Sequence, residues 1–296
     1  MNKSSCLAVI VTYNRLNDLK VCVEALRNQS YQYLDILVVN NGSSDGTKEW
    51  LSEQSNVFVV NQENLGGAGG FYTGMEYMMT HDYEFLVMMD DDGIPDNKEV
   101  ETLISAYEQK CKENLVILNA LVVDKDDKQY SAFSWRHGSN RSNVISELMK
   151  EQCIEGDIHP FNGTLISRSV MERIGLVKKE MFIWGDEEEY MARAVRNNIT
   201  LLTVTNAIHY HPKEKGKKGN VFPFIKKYQV LIKPYSMSHI YYRNKSFLLK
   251  NYPERFRYNA IQYCAAYIIR FLTHLEFKEL IKFLKYFQRG RKNIFL

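Results

Sequence analysis

Three consecutive aspartates, Asp90, Asp91 and Asp92, are the strongest chemical signal in the sequence. They follow the apolar run FLVMM and precede Gly93, so they lie where a buried strand is predicted to end. Adjacent carboxylates repel one another, and a bound cation relieves that repulsion. Mg²⁺ and Mn²⁺ prefer oxygen ligands and often bridge a protein to a diphosphate. A solvated acidic turn is the alternative, but the position at the end of a strand favours a metal site.

A second acidic cluster is the run WGDEEEY at 184–190, which begins a predicted helix that continues through Val195. Acidic residues in a first helical turn are also what the helix dipole favours, so a purely structural explanation is open. The functional explanation is that one carboxylate acts as a general base toward a hydroxyl group, which requires hydrogen-bond reach.

Two histidines, His209 and His211, follow the last predicted core strand. In an extended segment residues i and i+2 point to the same side, so both side chains could face one site. An imidazole after one strand and carboxylates after another can complete the coordination of a single metal ion. The sequence leaves open which of the two histidines does so.

Four glycines lie within five residues of the segment from Asn64 to Phe71, at Gly66, Gly67, Gly69 and Gly70. Such a run allows close approach of the backbone to a ligand and frees N–H groups before a helix N-terminus. It is neither a GxGxxG fingerprint nor a P-loop. A flexible loop would have the same composition, but the position in the sheet-forming half indicates a crowded ligand site.

Short apolar runs alternate with amphipathic helical segments, and these elements must position the candidate residues. Strands are predicted at 7–13, 34–39, 57–60, 85–89, 115–123 and 200–204, and helices at 17–28, 48–54 and from the glycine run onward. This alternation predicts an α/β fold with a doubly wound, mostly parallel sheet, whose ligands bind at the carboxyl ends of the strands. The polar, irregular stretch 124–160 is interpreted as an excursion on the acceptor side.

The chain is predicted to divide near residue 212, where the composition changes to PKEKGKKGN. Residues 1–212 would form the catalytic domain, 213–221 a mobile basic loop or linker, and 222–296 a helical region rich in aromatic and basic residues. Apolar residues at helical spacing within 257–287 predict one or two amphipathic helices.

The composition excludes several classes of protein. With 296 residues and 45% apolar content the chain can bury an ordinary globular core, and its net charge of +3 is too small to imply nucleic-acid binding. Its five cysteines are scattered without CxxC spacing, which argues against a disulfide framework or a zinc site. The N-terminus lacks the apolar stretch of a signal peptide or spanning helix, so a cytoplasmic protein is expected.

Taken in order, six motifs resemble the series found in family 2 glycosyltransferases. They are VTYNR (11–15), VVNNGSSDGT (38–47), NLGGAGGF (64–71), MDDDG (89–93), WGDEEEY (184–190) and HYH (209–211). NLGGAGGF is most similar to the galactofuranosyltransferase branch. The resemblance spans residues 7 to about 212 and implies a GT-A fold, Rossmann-like with helices on both faces of the sheet, and a nucleotide-sugar donor.

The resemblance also implies a donor site. Thr12 and Tyr13 would contact the uridine, with the Tyr13 ring stacked on the base. Asn40 occupies the place of an aspartate that usually accepts a hydrogen bond from the pyrimidine, so this contact should be weaker. Asp91 would contact the ribose or the sugar. The remaining donor-binding residues would be Asn64, Gly66, Gly67, Gly69 and Asp90.

By the same resemblance Asp90, Asp92 and His211 would hold Mn²⁺ or Mg²⁺. Glu187 would be the catalytic base, with Asp186 as its rival because the family more often carries an aspartate there. The acceptor would be contacted by Trp184, which resembles an aromatic floor residue, and by Glu189.

The implied reaction is a single displacement with inversion, in which galactofuranose passes from UDP-galactofuranose to a hydroxyl of a polyprenyl-diphosphate-linked glycan. Such a reaction would serve the synthesis of a capsule, an O-antigen or another cell-surface polysaccharide. The alternatives are a rhamnosyltransferase that uses dTDP-rhamnose and a non-catalytic subunit that binds nucleotide sugars. Residues 222–296 would contact the inner membrane face, making the protein peripheral there, or else form a helical cap or an interface between copies of the chain.

Overall fold

The computed structural model describes residues 5–111, 114–135, 141–213 and 216–295. These residues form two compact units. The first unit contains residues 5–179 and 193–213, and the second contains 180–192 and 216–295. The prediction had placed 180–192, which carry the second acidic motif, with the sheet. The structure assigns them to the unit that also contains the C-terminal helices.

The first unit is built on a nine-stranded mixed sheet, counted over the described residues. Its strands are β1 (Cys6–Thr12), β2 (Leu34–Asn40), β3 (Phe58–Asn61), β4 (Phe85–Asp90), β5 (Ile94–Pro95), β6 (Val116–Asp124), β7 (Cys153–Glu155), β8 (Asn162–Ser167) and β9 (Thr200–His211). The order is β3-β2-β1-β4-β8-β6-β9-β5, and β7 pairs with β9. Pairing is parallel among β3, β2, β1 and β4, as expected for βαβ connections.

Helices accompany these strands in chain order: α1 (Leu16–Arg27), α2 (Thr47–Ser52), α3 (Gly66–Thr80), α4 (Glu99–Lys110), α5 (Ile145–Leu148), α6 (Arg168–Ile174) and α7 (Asp186–Arg196). α1 is amphipathic and buries Leu19, Cys22, Val23 and Leu26. These side chains pack with those of β1, β2 and β4 in the main hydrophobic core. This core therefore fixes the positions of β1, β2 and β4, whose carboxyl ends carry the candidate site residues.

The sequence predicted the α/β architecture correctly, with one difference that matters for the site. The last core strand was predicted over 200–204, whereas β9 continues to His211. Its continuation pairs with β6 and with the short strand β5. Because of this, the two histidines are strand residues and not part of a loop.

Besides residues 180–192, which include the start of α7, the described part of the second unit contains a hairpin and three longer helices. The hairpin joins β10 (Lys218–Phe222) and β11 (Ile225–Leu231), and the helices are α8 (Ser238–Asn251), α9 (Ala260–Thr273) and α10 (Phe277–Arg291). Their core is aromatic and includes Tyr242, Tyr263, Tyr267, Phe271 and Phe283. The predicted helices within 257–287 are present.

The prediction of a mobile loop over 213–221 was wrong in part, since residues 218–221 belong to β10. Pairing with the antiparallel partner Ile225–Leu231 explains the strand, which the high lysine and glycine content concealed. Residues 214–215 of that prediction lie outside the described residues. Across the part of the chain that the structure describes, every helix falls short of the length and hydropathy that crossing a bilayer requires.

Candidate active site

The acidic triplet lies at the carboxyl end of β4, where Asp90 is the last strand residue. The antiparallel pairing of Ile94 with Tyr210 places the segment after the triplet beside the end of β9. One ligand atom each from Asp90, Asp92 and His211 then lie within 4.8 Å of one another. His211 Nε2 is 3.1 Å from Asp92 Oδ1. The predicted metal ligands are thus brought together by the pairing of two strands.

The three carboxylates differ in pKa because their surroundings differ. Burial, followed by the charges of Asp91 and Asp92, raises the pKa of Asp90 to about 7. Burial also raises the pKa of Asp91 to about 6, although Thr12 and Arg15 oppose this effect. Burial alone would raise the pKa of Asp92 too, but His211 and Arg15 hold it well below its usual range. A divalent cation would favour the ionised form of all three.

The donor set fits a hard divalent cation. Two carboxylates and one imidazole, all partly buried, can supply oxygen and nitrogen ligands to Mn²⁺ or Mg²⁺ and leave coordination positions for a diphosphate. Burial tends to lower the pKa of His211, but Asp92 raises it above its usual value. Binding of a metal through His211 would require the neutral ring, so a bound cation would displace that proton.

Arg15 is a member of this cluster that the sequence analysis did not single out. Its guanidinium forms an ion pair with Asp92 and lies 3.5 Å from Asp91 Oδ1. Thr12 Oγ1 donates a 2.8 Å hydrogen bond to Asp91 Oδ2. The parallel pairing of β1 with β4 brings these residues together, so a basic residue shortly after the first strand was the available signal.

The residues predicted to hold the nucleoside are divided between exposed and buried positions. The Tyr13 side chain is 47% exposed, so its ring is free to stack on a base. Thr12 is buried, and its hydroxyl is engaged by Asp91. Asn40 is also buried: its Nδ2 donates to Asn61 Oδ1 at 2.8 Å, and its Oδ1 accepts from the Ser43 N–H at 3.1 Å. The expected contact from Asn40 to a pyrimidine therefore depends on the second lone pair of Oδ1.

The glycine run forms the first turns of α3, which begins at Gly66 with a left-handed φ of 74°. Asn41, which the sequence analysis did not identify, holds this start. Its Oδ1 accepts from the Leu65 N–H at 3.0 Å, and its Nδ2 donates to the Gly66 carbonyl at 2.9 Å. The predicted donor residue Asn64 accepts from the Gly66 N–H at 2.9 Å. Its side chain thus shapes the helix start.

Close packing accounts for Gly69 and Gly70. A Cβ at Gly70 would lie 2.4 Å from Val11 Cγ1 of β1, and one at Gly69 would lie 2.4 Å from Leu65 Cβ. The interpretation of the whole run as a crowded ligand site is corrected for these two residues, because protein atoms occupy the space. A Cβ at Gly67 would have no other atom within 4 Å. The run therefore leaves Gly66 and Gly67 as its candidates for contact with a phosphate.

His209 has a different role from His211. It is fully buried, and its Nδ1 lies 3.0 Å from Glu99 Oε2, which is also buried. Gly93 permits this arrangement, since a Cβ there would lie 2.3 Å from His209 Nε2. His211, and not His209, therefore joins the aspartates. The Glu99 partnership was not predicted, because α4 and β9 are far apart in sequence.

An aromatic group adjoins His211 in the first unit. The Phe133 ring lies 4.8 Å from His211, and His159 contacts both Phe133 and Trp135 at 5.3 and 4.5 Å. Burial lowers the pKa of His159 to about 4. No motif within 124–160 had indicated these residues, although the stretch was expected to be an excursion on the acceptor side.

The second acidic motif follows a loop with unusual backbone geometry. Phe182 and Trp184 have φ values of 66° and 61°, which residues other than glycine rarely adopt. Gly185, which follows them, has a φ of 112°. The buried Asn244 of α8 holds this loop by donating from Nδ2 to the carbonyls of Met181, Ile183 and Trp184 at 2.8, 3.0 and 3.0 Å. Arg243 donates to Met181 as well. The loop is thereby kept in a conformation that carries backbone strain.

The four carboxylates of the motif have separate environments. Glu187 is partly exposed, and its Oε2 accepts from the Gly185 N–H at 3.0 Å. Glu188 pairs with Lys245 at 3.1 Å, and Glu189 is buried and accepts from the Tyr252 hydroxyl at 2.7 Å. Asp186 is also buried, at 5% exposure. Glu187 is thus more accessible than Asp186, while Glu189, predicted to contact the acceptor, is engaged inside the second unit.

The chain matches the family model described as Glycosyl transferase family 2 over residues 7–175. The chain belongs to this family. It is a glycosyltransferase, and the match covers the strands that carry Thr12, Asn40 and the acidic triplet.

Curated relatives agree with this assignment. Galactofuranosyltransferase GlfT1 of Mycolicibacterium smegmatis is 30% identical over 214 residues, which cover 69% of this chain and 70% of that protein. GlfT1 of Mycobacterium tuberculosis is 31% identical over 216 residues, covering 70% of each. The dTDP-rhamnosyl transferase RfbF of Shigella flexneri is 25% identical over 198 residues, covering 66% of this chain and 65% of that protein.

Solved structures share the fold. GalNAc-T7 with UDP, GalNAc and Mn²⁺ aligns with a TM-score of 0.56 at 18% identity over 85% of this chain, which spans about half (51%) of that structure. The mannosyltransferase PcManGT of Pyrobaculum calidifontis in complex with GDP-Man and Mn²⁺ aligns with a TM-score of 0.52 at 14% identity, covering 97% of this chain and 74% of that one. At these identities the likeness establishes the GT-A fold.

Proposed function

We propose that this glycosyltransferase transfers galactofuranose from UDP-galactofuranose to a hydroxyl of a lipid-linked glycan, with inversion and with a divalent metal. The convergence of Asp90, Asp92 and His211 within 4.8 Å carries the proposal of metal dependence. The donor sugar follows from the galactofuranosyltransferase relatives at about 30% identity.

In the proposed donor site, Asp90, Asp92 and His211 would hold Mn²⁺ or Mg²⁺, which stabilises charge on the leaving diphosphate when bound. The exposed Tyr13 ring would stack on uracil, and the open backbone at Gly67 would approach a phosphate. Asp91, which Thr12 and Arg15 orient, would accept a hydrogen bond from a ribose or sugar hydroxyl.

In the proposed transfer step, Glu187 removes the proton of the acceptor hydroxyl, and the hydroxyl oxygen attacks the anomeric carbon as UDP leaves. The bond to the Gly185 N–H fixes one carboxylate oxygen of Glu187 and leaves the other available. Asp186 stays the rival base, but its burial would require the loop to open before an acceptor could reach it. Trp184 would contact the acceptor sugar.

A second donor is favoured by one observation, the similarity to the dTDP-rhamnosyl transferase of Shigella flexneri. Uracil and thymine present the same hydrogen-bonding edge, so the nucleoside site described above would accept either base. The hydrogen-bonding edge of the base therefore does not discriminate between the two donors.

The test is a nucleotide-release assay with UDP-galactofuranose, UDP-galactopyranose, UDP-glucose and dTDP-rhamnose, with Mn²⁺ or with EDTA. We expect EDTA-sensitive release from UDP-galactofuranose that increases on addition of a glycan acceptor. Selective use of dTDP-rhamnose would overturn the donor assignment, and turnover in EDTA would overturn the metal. Binding of UDP without turnover of any donor would identify a non-catalytic subunit.

We also propose that the second unit contacts an anionic bilayer, where a lipid-linked acceptor would lie. Ile261 and Leu272 of α9 share a helical face and are 79% and 46% exposed, and Phe277, Ile281 and Leu284 share a face of α10. Exposed lysines accompany them, including Lys278 and Lys285. Apolar side chains beside cations suit an anionic lipid surface.

The bilayer proposal is tested by flotation with liposomes that contain anionic lipid. The triple change of Ile261, Leu275 and Ile281 to Gln should abolish flotation, because all three side chains are more than two-thirds exposed. Changing Val21 and Phe58 of the first unit, which are 51% and 46% exposed, to Gln is the matched control. The proposal would be contradicted if the triple variant floated as well as the wild type, or if the triple change disrupted a dimer and left lipid binding intact.

A further inference from the structure

A buried carboxylate–histidine pair lies beside the metal-ligand cluster of the first unit and takes no part in the proposed transfer step. Glu99, the first residue of α4, and His209 of β9 are both 0% exposed. The His209 Nδ1 atom lies 3.0 Å from Glu99 Oε2 and 3.2 Å from Oε1, so the carboxylate holds the ring through both oxygens. Because both side chains are fully buried, neither is available to bind a cation or a substrate directly.

The stability of the core does not by itself require such a pair. It adjoins the main hydrophobic core, which includes Val100, the residue after Glu99. Taking a carboxylate out of water is costly, and apolar residues of similar volume often stabilise a core equally well. What a hydrogen-bonded pair adds is a fixed geometry, since its atoms must meet at a defined distance and angle.

The His209 ring adjoins the turn that carries the aspartates. A Cβ at Gly93, the residue after Asp92, would lie 2.3 Å from His209 Nε2 and 2.9 Å from its Cε1. It would also lie 3.3 Å from the Asp90 carbonyl oxygen. The Nε2 atom makes no hydrogen bond to the residues that the structure describes, so its contact with the turn is one of shape. A glycine is therefore needed where the ring meets the turn.

The carboxylate end of the pair is enclosed in the same way. Gly163 of β8 has a φ of 67°, and a Cβ there would lie 2.5 Å from Glu99 Oε1 and 3.0 Å from His209 Nδ1. The start of α4 is also joined to β9 by the main chain, since the Asp96 N–H donates to the Ile208 carbonyl at 2.9 Å. Carboxylate, ring and turn thus form one close-packed group, in which a displacement of one member moves the others.

His209 and His211 lie on the same side of β9, because alternate residues of a strand point the same way. His209 contacts the backbone of the turn after β4, while His211 Nε2 lies 3.1 Å from Asp92 Oδ1 on that turn. The width of the His209 ring therefore sets the spacing between the turn and the end of β9.

We propose that Glu99 and His209 are positioning residues of the metal site. Glu99 orients the His209 ring, and the ring sets the separation between the turn after β4 and the end of β9, where His211 lies. The affinity for a divalent cation then depends on this pair, although neither residue is a ligand, because coordination requires ligand atoms at defined distances. This inference rests on the proposed metal dependence and adds the residues that govern it.

Mn²⁺ affinity can be measured without turnover, from the electron paramagnetic resonance signal of free Mn²⁺ during a titration of the protein. His209→Asn is the main variant, because the amide nitrogen can take the place of Nδ1 and keep the hydrogen bond to Glu99, while the ring atoms that contact the turn are lost. It should raise the Kd for Mn²⁺ by roughly tenfold, as is typical for groups that support metal ligands. UDP release should then require a correspondingly higher Mn²⁺ concentration.

Gly93→Ala disturbs the same contact from the side of the turn, because its methyl group must displace the ring. It should also raise the Kd for Mn²⁺ by roughly tenfold, and either single change tests the inference if the other variant does not fold. Combining Gly93→Ala with His209→Asn should return the Kd to within about threefold of the wild-type value, since the methyl group then fills the space that Nε2 and Cε1 leave.

Thr203→Val is the matched control. Thr203 is a buried residue of the same strand, and its hydroxyl donates to the Asp157 carbonyl at 2.7 Å. The change removes a buried hydrogen bond and should lower the melting temperature in the absence of metal. It should leave the Kd for Mn²⁺ unchanged, because Thr203 lies toward the other end of β9 from His211.

Two results would distinguish a failure of this inference from a failure of the proposed function. If both single variants lowered the melting temperature but left the Kd for Mn²⁺ within about twofold of the wild-type value, the pair would be structural only and the inference would be overturned. Loss of affinity without recovery in the double variant would overturn it as well. If the wild-type protein bound neither Mn²⁺ nor Mg²⁺ and released UDP in EDTA, the proposed metal dependence would fail, and this inference with it.

Discussion

The metal-ligand cluster of the first unit and the acidic motif of the second unit are held in place by different means. Asp90 ends β4, and the segment that follows it pairs through β5 with β9, which ends at His211, so main-chain hydrogen bonds of the sheet set the positions of both residues. Glu187 follows a loop with left-handed residues, and side chains of α8 maintain that loop. Backbone pairing places the first cluster, whereas a buried amide places the second.

This difference predicts how each region responds to mutation. Loss of a side chain in the first cluster should remove a ligand without moving its neighbours, because the strands stay paired. Loss of Asn244 should displace the whole loop before α7, since three carbonyls lose their donor together. Ligand loss and loop displacement can be separated by measuring donor binding and turnover independently.

The largest effect is expected for Asp92→Ala. It removes a candidate metal ligand and the carboxylate that pairs with Arg15, and it should lower Mn²⁺-dependent turnover by roughly a thousandfold. A UDP-release assay over a range of Mn²⁺ concentrations measures this loss. Asp126→Asn changes an exposed carboxylate of the same unit and should be neutral. Normal turnover of Asp92→Ala in EDTA would remove the metal from the mechanism.

Glu187→Gln should lower transfer by roughly 10²- to 10⁴-fold, because the amide cannot accept the acceptor proton. Binding of UDP and of Mn²⁺ should stay normal, since their candidate residues belong to the first unit. Glu188→Gln is the matched control, as Glu188 is engaged by Lys245. Near-normal transfer by Glu187→Gln with loss in Asp186→Asn would move the base to Asp186.

Asn244→Ala should lower the free energy of unfolding by about 1–3 kcal/mol and reduce kcat, because the loop that carries Trp184 loses its support. Donor binding should be unchanged. Denaturant unfolding and steady-state kinetics measure the two effects. Asn251 lies in the last turn of the same helix, where its side chain donates to the Phe247 carbonyl. Asn251→Ala should lower the free energy of unfolding by less than about 1 kcal/mol. Equal effects of both changes would contradict a special role for Asn244.

The smallest effects concern the glycine run, where two neighbouring glycines should respond in opposite directions. Gly70→Ala should destabilise the protein by about 1–3 kcal/mol, because its Cβ would meet Val11 at 2.4 Å. Gly67→Ala has open space and should stabilise the helix by about 0.5–1 kcal/mol, while raising the KM for the donor if the backbone there approaches a phosphate. Thermal unfolding and donor kinetics check both. A stabilised Gly70→Ala would disprove the packing explanation.

The sheet and the metal-ligand cluster were accessible to prediction because their determinants are local. Apolar runs and helical spacing predict the strands, and polar residues that follow neighbouring strands converge at one edge of a parallel sheet. That rule predicts Asp90 and Asp92 at the end of β4, whereas His211 follows from the family resemblance, because β8 and β6 lie between β4 and β9. The same rule could have identified Arg15, which lies just after β1.

Other residues could not be identified, because their roles depend on distant partners. Asn41 lies within the motif VVNNGSSDGT and Asn244 lies in no motif, yet each satisfies main-chain groups that are distant in sequence and that local pattern does not indicate. The strand β10 was missed because its lysine and glycine content resembles that of a loop, and its pairing with β11 stabilises it.

By itself, the sequence determined the fold class, the family and the chemical types available for catalysis, because strand periodicity, helix spacing and motif order are properties of nearby residues. Only the tertiary structure decided that His211 joins the aspartates while His209 pairs with Glu99, and that Glu189 is buried against Tyr252. Those distinctions depend on burial and on partners distant in sequence, and local periodicity cannot encode either.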